Sequence, residues 1–596
     1  MSKVTGLYQD KSVHFNLILL FINCSLLFLS ALAVIKSIFV GFDIDEAYAI
    51  AQSYRLVSGD RLFLQMWEPH QLSAFGSALF MLPFLLVTGG NTTGIVIYLR
   101  IVGTVIHLLI GLWFYRTART RFGTTGSLLM FLIHTNFLPK WISLPEFEIM
   151  QYWSSCVLFL GLLSWHHAIS VQQKTGRKFL ILSGTALFVS VLCYPTMLLL
   201  YPLYLAAIVL LAYPSDPNNS FKNILKHCFW FTFPAAVAGI GLLCHLFSYM
   251  SLKELIHNAS YILADESHSV SLRIRVIQYL GEIRDFVFES LLFLPFALLA
   301  ALAAHKHSKQ SSLVLYLMLF WIGLLCGKQI LFSFLGDANQ FYLYFRFLLI
   351  TCTGIAAFFL ADSDLRAANR PYLLLGILPG IMGVVASAAI TNMTLEIALA
   401  RIYIAVIASF FLIASLLLQK HEQDTLLKVV SYGIAVLFLL GLLVCKLLLV
   451  RVTGCIPISI KMHMAPVTSG PAAGLLVKDD LAAVYNANFP LIQASAEEDN
   501  ALLYFGCENL YYLASKAQIA TPSTQGTSAF NHLYLQYFEE HPEKKPSMVI
   551  VDKTFQSNPH YYYSSDNQIV LDWITEKYQD ADMTESEYLI IYKVKE

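Results

Sequence analysis

The chain has 596 residues, of which 57% are hydrophobic and only 13% are charged, and its formal net charge is zero. Soluble domains usually hold about twice that charged fraction, so the composition excludes an ordinary soluble protein and indicates a polytopic membrane protein. A net charge of zero also provides no overall field that would attract nucleic acid.

Thirteen apolar runs approach or reach the roughly 20 residues that a membrane-spanning helix needs. In chain order they are residues 15–40, 94–115, 124–138, 150–170, 178–194, 197–213, 228–250, 286–304, 312–333, 343–361, 371–390, 399–418 and 427–450. A further run, 72–90, is equally apolar and has to be placed by another argument.

The basic residues decide the topology, because cytoplasmic connections of membrane proteins are enriched in Lys and Arg. With thirteen spans, every second connection contains at least two basic residues; counting 72–90 as a span would put the Arg116–Arg121 cluster outside. This predicts a cytoplasmic N-terminus and a first outer loop, 41–93, with interfacial helices at about 45–58 and 72–88. It also predicts a large outer loop at 251–285.

From about residue 455 the composition changes to that of a small soluble α/β domain. Strand-like runs at 501–506, 548–552 and 587–594 alternate with helix-like segments at 508–516, 528–540 and 568–578. We therefore divide the chain into a membrane domain, 1–454, and an extracytoplasmic α/β domain, 455–596. Neither contains a P-loop, a GxGxxG motif or a Cys/His cluster of zinc-binding spacing.

Acidic residues gather in the outer loops. They are Asp43, Asp45, Glu46, Glu68, Glu146, Glu148, Asp265, Glu266 and Asp337. Asp45 and Glu46 directly precede a helical pattern, so one interpretation is a helix start, where acids interact favourably with the helix dipole. The other is a functional carboxylate held at the membrane border, where partial desolvation adjusts its pKa.

Several short motifs extend the second interpretation. The first span ends in the Asp45–Glu46 pair and is followed by VSGDRLF (57–63), WEPH (67–70) and an apolar surface helix; IYLRIVGTV (97–105) begins the second span. This order resembles the GT-C superfamily of membrane glycosyltransferases, and within it the protein O-mannosyltransferase and aminoarabinose-transferase families. Relatives of the aminoarabinose type often have Lys-Pro-Pro where this chain has Glu68-Pro69-His70, so a lysine that grips the lipid phosphate there is not carried over.

The resemblance implies a GT-C fold and an inverting transfer of a sugar from a polyprenyl phosphate to an acceptor hydroxyl of a lipid, glycan or protein. The reaction would take place at the outer face of a bacterial cytoplasmic membrane. It further implies that Asp45 is the general base and that Glu46 orients it or binds the acceptor. Arg100 is the first candidate for the donor phosphate, with a structural salt bridge to Asp45 or Glu46 as the alternative.

Further candidates are weaker. Arg55, Arg61 and Arg346 are additional phosphate-binding candidates, for which the alternative is an arginine extending to the membrane interface. Glu148, Asp265, Glu266 and His268 are candidates for binding the acceptor or a divalent cation, for which the alternative is a solvated loop; no other cofactor is expected. A transporter or lipid flippase, or a wall-polymer ligase or polymerase, is the alternative function.

Overall fold

The structure is a computed structural model that describes residues 2–173, 176–215, 221–263, 271–307, 313–335, 343–389, 394–419, 425–452, 457–524, 533–553 and 565–595. The loop residues Asp265, Glu266, His268 and Asp337 lie outside these ranges.

The membrane domain consists of helices whose bounds follow the apolar runs of the sequence. They are α1 (Ser2–Phe39), α2 (Ile44–Val57), α3 (Ala74–Thr88), α4 (Ile95–Asn136), α5 (Phe147–Ser170), α6 (Gly176–Cys193), α7 (Leu200–Ser215), α8 (Phe221–Phe247), α9 (Leu252–Leu263), α10 (Leu272–Leu291), α11 (Leu294–His307), α12 (Leu313–Leu335), α13 (Leu343–Leu360), α14 (Ser363–Tyr372), α15 (Leu378–Ala388), α16 (Leu395–Leu399), α17 (Tyr403–Gln419) and α18 (Thr425–Leu448). A π-helical turn, Leu373–Ile377, joins α14 to α15.

By length and composition alone, the described residues contain eleven helices apolar enough to cross a membrane, α3 among them, or up to twelve if the pair α10–α11, bent by 52°, is one span. The prediction of about thirteen spans is therefore approximately confirmed. α4 accounts for two of the predicted spans, because it folds back at Gly123, which has φ +69°. Its two arms lie side by side, with the rings of His107 and His134 4.3 Å apart.

The apolar helix α3 begins and ends on the same face of the membrane domain. Just before it, the backbone N–H of Trp67 donates to the carbonyl of Pro522 (2.8 Å). Just after it, Thr92 donates to the carbonyl of Leu513 (2.5 Å). Because both partners belong to the C-terminal domain, both ends of α3 lie on the face that carries this domain, which we call the domain face.

The C-terminal domain is the small sheet domain that the sequence predicts. Its strands and those of the preceding linker are β1 (Leu449–Arg451), β2 (Pro457–Ser459), β3 (Met464–Pro466), β4 (Leu476–Lys478), β5 (Ala501–Phe505), β6 (Gln518–Ile519), β7 (Met548–Asp552), β8 (Asp582–Glu585) and β9 (Leu589–Lys593), and its helices are α19 (Asp479–Ser495), α20 (Tyr534–Glu540) and α21 (Ser565–Lys577). Five strands form a mixed sheet in the order β6-β5-β7-β9-β8. The segment predicted as a helix at 508–516 is a short 3₁₀ turn, Asn509–Leu513, which packs on α2.

A buried ion cluster fastens this domain to the first outer loop. Arg55, fully buried, pairs with Asp60 and Glu68 and also donates to the hydroxyl of Tyr537 (3.2 Å). Glu68 in turn accepts hydrogen bonds from the backbone N–H (2.8 Å) and hydroxyl (2.9 Å) of Thr524. Breaking one partner out of a buried ion pair is costly, so this Arg55 cluster holds the domain in place over α2.

Cysteine labelling tests whether α3 crosses the membrane. Ser58, Asn91 and Thr120 are exposed and lie before α3, after α3 and between the arms of α4. In a variant without native cysteines, we expect a membrane-impermeant maleimide to modify Ser58→Cys and Asn91→Cys in intact spheroplasts, and Thr120→Cys only after permeabilisation. Labelling of Ser58→Cys and Asn91→Cys from opposite sides would show that α3 is a span.

Candidate active site

Helix α2 begins with a cap that places two acids in its first turn. Asp43, in an extended conformation, is the N-cap residue, and its side chain accepts a hydrogen bond from the backbone N–H of Asp45 (3.1 Å). Such a cap satisfies a free donor of the first turn, and the carboxylates that follow, Asp45 and Glu46, interact favourably with the helix dipole. Asp45 and Glu46 therefore form part of the start of helix α2, as the first interpretation of this pair predicts.

Glu46 is buried and fully committed to Arg100. The guanidinium donates from Nε to Oε1 and from Nη2 to Oε2, both at 2.6 Å. Its remaining N–H groups point at the carbonyls of Ser37 (3.4 Å), Ile38 (3.2 Å) and Gly41 (2.9 Å) at the end of α1. All five donors of Arg100 are therefore occupied within the chain, so this pair holds α1, α2 and α4 together.

The turn between α4 and α5 carries a lysine in an uncommon backbone conformation. Lys140 and Trp141 have φ values of +56° and +61°, a region that costs non-glycine residues about 1–3 kcal/mol each. The turn also packs tightly on α4, because a Cβ atom at Gly103 would overlap the carbonyl oxygen of Ser143. The surrounding structure thus fixes Lys140 in a position that the free turn would not favour.

The ammonium of Lys140 lies among three carboxylates from two other segments. Its Nζ is 2.6 Å from Asp45 Oδ2, 3.2 Å from Glu148 Oε2 and 3.8 Å from Asp43 Oδ1. Burial opposes its charge, but Asp45, Glu148 and the other acids outweigh it and raise the pKa of Lys140 well above its ordinary value. Lys140 is therefore a permanent cation in this cluster.

Asp45 differs from its acidic neighbours in accessibility. Its side chain is 27% exposed, whereas those of Asp43 and Glu148 are 1% and 9% exposed. Partial burial raises the pKa of Asp45, and Lys140 partly reverses this effect. Asp45 is thus a carboxylate held by a cation yet open to a solute, with a basicity above that of a solvated aspartate.

Glu148 joins Lys140 to a second cation, Arg401, at the start of the last but one span. Arg401 Nη2 donates to Glu148 Oε1 (2.7 Å) and to the hydroxyl of Tyr194, whose ring lies 4.5 Å below the guanidinium. Its Nε and Nη1 are buried and have no hydrogen-bond partner among the described residues. We call Asp43, Asp45, Lys140, Glu148 and Arg401 the Lys140 cluster.

Glu146, next to this cluster, caps helix α5. Its carboxyl accepts hydrogen bonds from the backbone N–H groups of Glu148 and Ile149, both at 3.0 Å. Burial and the nearby Glu148 raise the pKa of Glu146 to about 8, although Lys140 opposes them. Near neutral pH the Glu146 carboxyl is therefore mostly protonated and adds little negative charge beside the cluster.

The other candidate residues lie elsewhere. Arg55 belongs to the Arg55 cluster, Arg61 is exposed with its guanidinium 5.4 Å from the ring centre of Tyr249, and Arg346 is buried beside Gln329. The structure thus brings Asp45 and Glu148 together on Lys140, pairs Glu46 with Arg100 separately, and places Arg55, Arg61 and Arg346 outside the Lys140 cluster.

The residues that are described do not fit a metal site. Among them, no three side chains of His, Cys, Asp or Glu are grouped so that they could hold an ion. Where the acids converge, lysine and arginine already neutralise Asp45 and Glu148. The loop acids Asp265 and Glu266, with His268, fall outside the described part of the chain.

Sequence reasoning missed Lys140, Tyr194 and Arg401 as site residues. Arg401 carried the same signal as Arg100, namely an arginine at the start of an apolar span, which needs an anionic partner. Lys140 is the one basic residue of the 139–149 loop. Tyr194 gave no signal, because a tyrosine at a span end is common in membrane proteins.

The Arg100–Glu46 pair predicts a stability effect. Arg100→Met leaves the Glu46 carboxylate buried without its cation, so we expect the protein in detergent to lose about 3–5 kcal/mol of unfolding free energy. The double variant Glu46→Gln/Arg100→Met should recover part of this loss. An Arg100→Met variant of wild-type stability would contradict the structural role and favour the phosphate-binding role.

No protein-family model and no curated protein sequence matches the chain. Among solved structures, it is similar to the oligosaccharyltransferase of Archaeoglobus fulgidus in complex with Zn and sulfate, with a TM-score of 0.43 and 12% identity over 88% of this chain and 68% of that one.

It is also similar to ArnT from Cupriavidus metallidurans bound to undecaprenyl phosphate, with a TM-score of 0.41 and 12% identity over 96% and 97% of the two chains. A third structure, the Archaeoglobus fulgidus oligosaccharyltransferase AglB with an inhibitory peptide and a dolichol-phosphate, gives a TM-score of 0.38 and 11% identity over 90% of this chain and 70% of that one. All three TM-scores are below 0.5 and all three identities are below 25%. These likenesses add nothing to the assignment of residues or substrates.

Proposed function

We propose that this multi-pass membrane protein is a glycosyltransferase that moves a sugar from a polyprenyl phosphate to an acceptor hydroxyl. The observation that carries the proposal is the Lys140 cluster: an accessible carboxylate, Asp45, lies in one ion network with a buried guanidinium, Arg401, that has unused donors. Glycosyl transfer from a phosphate needs such a pair, because a hydroxyl must lose a proton while a phosphate gains charge.

Asp45 serves as the general base in this proposal. A base is most effective when its pKa is close to the working pH, and burial raises the pKa of Asp45 towards that range. Lys140, 2.6 Å away, fixes the orientation of the carboxylate. Asp43 and Glu46 are more deeply buried, which leaves Asp45 as the acid of the first turn that an acceptor reaches.

Arg401 and Lys140 bind the phosphate of the donor. Both are cations outside a bulk-water environment, where preorganised donors stabilise developing charge most effectively. Nε and Nη1 of Arg401 are two buried donors without a partner among the described residues, and either can donate to a phosphate oxygen in a charge-assisted hydrogen bond. Arg100 and Arg55 donate their hydrogen bonds to protein groups, so the proposal assigns the phosphate to Arg401 instead. Glu46 then has the indirect role of holding α2 in place.

The reaction is then a single displacement. The acceptor oxygen forms a bond to the anomeric carbon as its proton passes to Asp45, and the bond from this carbon to the phosphate oxygen breaks. The bonding electron pair leaves with the polyprenyl phosphate, which carries one more negative charge than in the donor. Attack opposite the leaving group inverts the anomeric configuration.

The same proposal gives the location of the reaction. The Lys140 cluster lies on the domain face, at the ends of α1, α4 and α17. With the positive-inside pattern of the sequence, this face is the outer face of the cytoplasmic membrane and the N-terminus is cytoplasmic. Polyprenyl-linked sugar and acceptor would therefore meet outside the cytoplasm, beneath the C-terminal domain.

The transporter alternative has less support. Transporters hold their substrate near the bilayer midplane on broken helices, whereas one buried polar pair of this bundle, His107 and His134, is fully engaged in hydrogen bonds. His107 contacts the Thr135 carbonyl and Trp153, and His134 contacts the His107 carbonyl and Tyr152, at 2.9–3.2 Å. The two histidines thus join α4 to α5 through hydrogen bonds.

Substitution of the base tests the proposal. Asp45→Asn keeps the shape and the contact with Lys140 but cannot accept the proton, so we expect kcat to fall by about 10²–10⁴-fold. The measurement is release of undecaprenyl phosphate from a panel of synthetic undecaprenyl-phosphate sugars, in nanodiscs with host envelope lipids. Asp480→Asn, at an exposed acid of the C-terminal domain, is the matched control, and full activity of Asp45→Asn would overturn the assignment of the base.

The pH dependence of transfer gives a second test. The base must be ionised, so kcat/KM should fall as the pH drops below the pKa of Asp45, which lies above the ordinary aspartate value. Lys140 lowers this pKa, so in Lys140→Met the acid limb of the profile should move to higher pH. Lys478→Met, which removes an exposed lysine of the C-terminal domain, should leave the limb unchanged; an unmoved limb in Lys140→Met would exclude Asp45 as the titrating base.

A further inference from the structure

A small cavity lined by cations lies beside the Lys140 cluster. It has a volume of about 20 Å³ and is enclosed by the end of α1, the end of α18, strand β1 and the 140–142 turn. Lys36, Lys446 and Arg451 line it together with Lys140 and the ring of Trp141. Four basic side chains around one cavity form an unusual concentration of positive charge at the border of the membrane.

Two of these cations already have assigned partners. Lys140 is held by Asp45 and Glu148, and Arg451 lies 3.6 Å from Asp43 and 5.6 Å from the ring centre of Trp141. The cavity therefore adjoins the Lys140 cluster, because Lys140 and Arg451 line it and contact Asp45 and Asp43 of that cluster.

The other two cations have no carboxylate among the described residues. Lys36 Nζ donates to the carbonyls of Lys446 (2.6 Å) and Leu449 (2.5 Å) and to no acid. Lys446 is only 2% exposed, and its Nζ has no hydrogen-bond partner in the described chain. A buried ammonium without a partner is strongly unfavourable, so the site favours an anion that none of the described residues supplies.

We propose that this cavity, which we call the Lys446 pocket, binds an anionic phosphate oxygen. The volume corresponds to about one water-sized group, so a single oxygen enters while the rest of the phosphate stays at the rim near Lys36. The exposed apolar side chains of Ile35 and Phe39 flank Lys36 on α1, so the rim borders on lipid at the level of the headgroups.

The phosphate has two sources, a phospholipid headgroup or free inorganic phosphate, and the chemistry of recognition is the same for both. The inference does not depend on the proposed transferase activity, because it rests on the charge of Lys446 and the shape of the pocket. A lipid held here would sit between the first and last helices of the bundle and stabilise their contact.

Thermal unfolding of the delipidated full-length protein in detergent tests the inference. We expect inorganic phosphate, phosphatidylglycerol, or both, to raise Tm in a saturable way by about 2 °C or more at constant ionic strength. A phosphate-free galactolipid is the control for lipid binding as such. Stabilisation by phosphatidylglycerol alone identifies the headgroup as the source, and stabilisation by inorganic phosphate alone identifies the free ion.

Two variants link the effect to the pocket. Lys446→Met keeps the length of the side chain but removes its charge, so the phosphate-dependent rise in Tm should disappear, whatever the Tm of the variant itself. Lys428→Met, at the opposite end of the same helix, should retain the rise. No rise with either phosphate source, or an equal rise in wild type and Lys446→Met, would overturn the inference.

Discussion

The position of one ammonium group organises the site. Lys140 connects the first turn of α2 to the first turn of α5, because Asp45 and Glu148 both bind it and would otherwise repel each other. Its turn adopts a left-handed backbone at two successive residues, and the absence of a side chain at Gly103 lets that turn approach α4. The strained turn and the missing side chain at Gly103 are therefore both needed to place the charge of Lys140.

In the proposed mechanism, the charged side chains whose hydrogen-bonding groups are all occupied support the fold, and those with accessible or unused groups take part in the reaction. Arg100 and Arg55 are fully buried, and every donor of Arg100 has a partner within the chain. Asp45 is partly exposed, and Arg401 keeps two buried donors without a partner in the described chain. Removing a supporting charge should therefore change the stability of the protein, whereas removing a reactive one should change what it binds or converts.

The sequence predicts the spans well, because an uninterrupted apolar run can only be buried in lipid or protein. It also predicts the strands at 501–506, 548–552 and 587–594. The Asp45–Glu46 pair stays a predicted site, in which Asp45 contacts Lys140 and Glu46 pairs with Arg100. It could not distinguish Arg100 from Arg401, since both are arginines at the start of an apolar run, and only their distant partners Glu46 and Glu148 separate them. The sequence predicts a polar-faced surface helix at 45–58, but the C-terminal domain covers this helix, and residues 46–55 are all buried. The sequence pattern of α2 alone does not show that another domain packs on it.

In the proposed reaction, the charges of the Lys140 cluster allow one poorly hydrated site to take the proton from the acceptor and to stabilise the leaving phosphate. As the acceptor proton moves to Asp45, the cluster loses one negative charge, and as the glycosidic bond breaks, the phosphate gains one. The net charge around Lys140 and Arg401 is therefore the same before and after the displacement. In a low-dielectric site, where a change of net charge is expensive, this compensation favours a base and a phosphate-binding cation that share one ion network. Glu148, which touches both Lys140 and Arg401, is the residue that couples them.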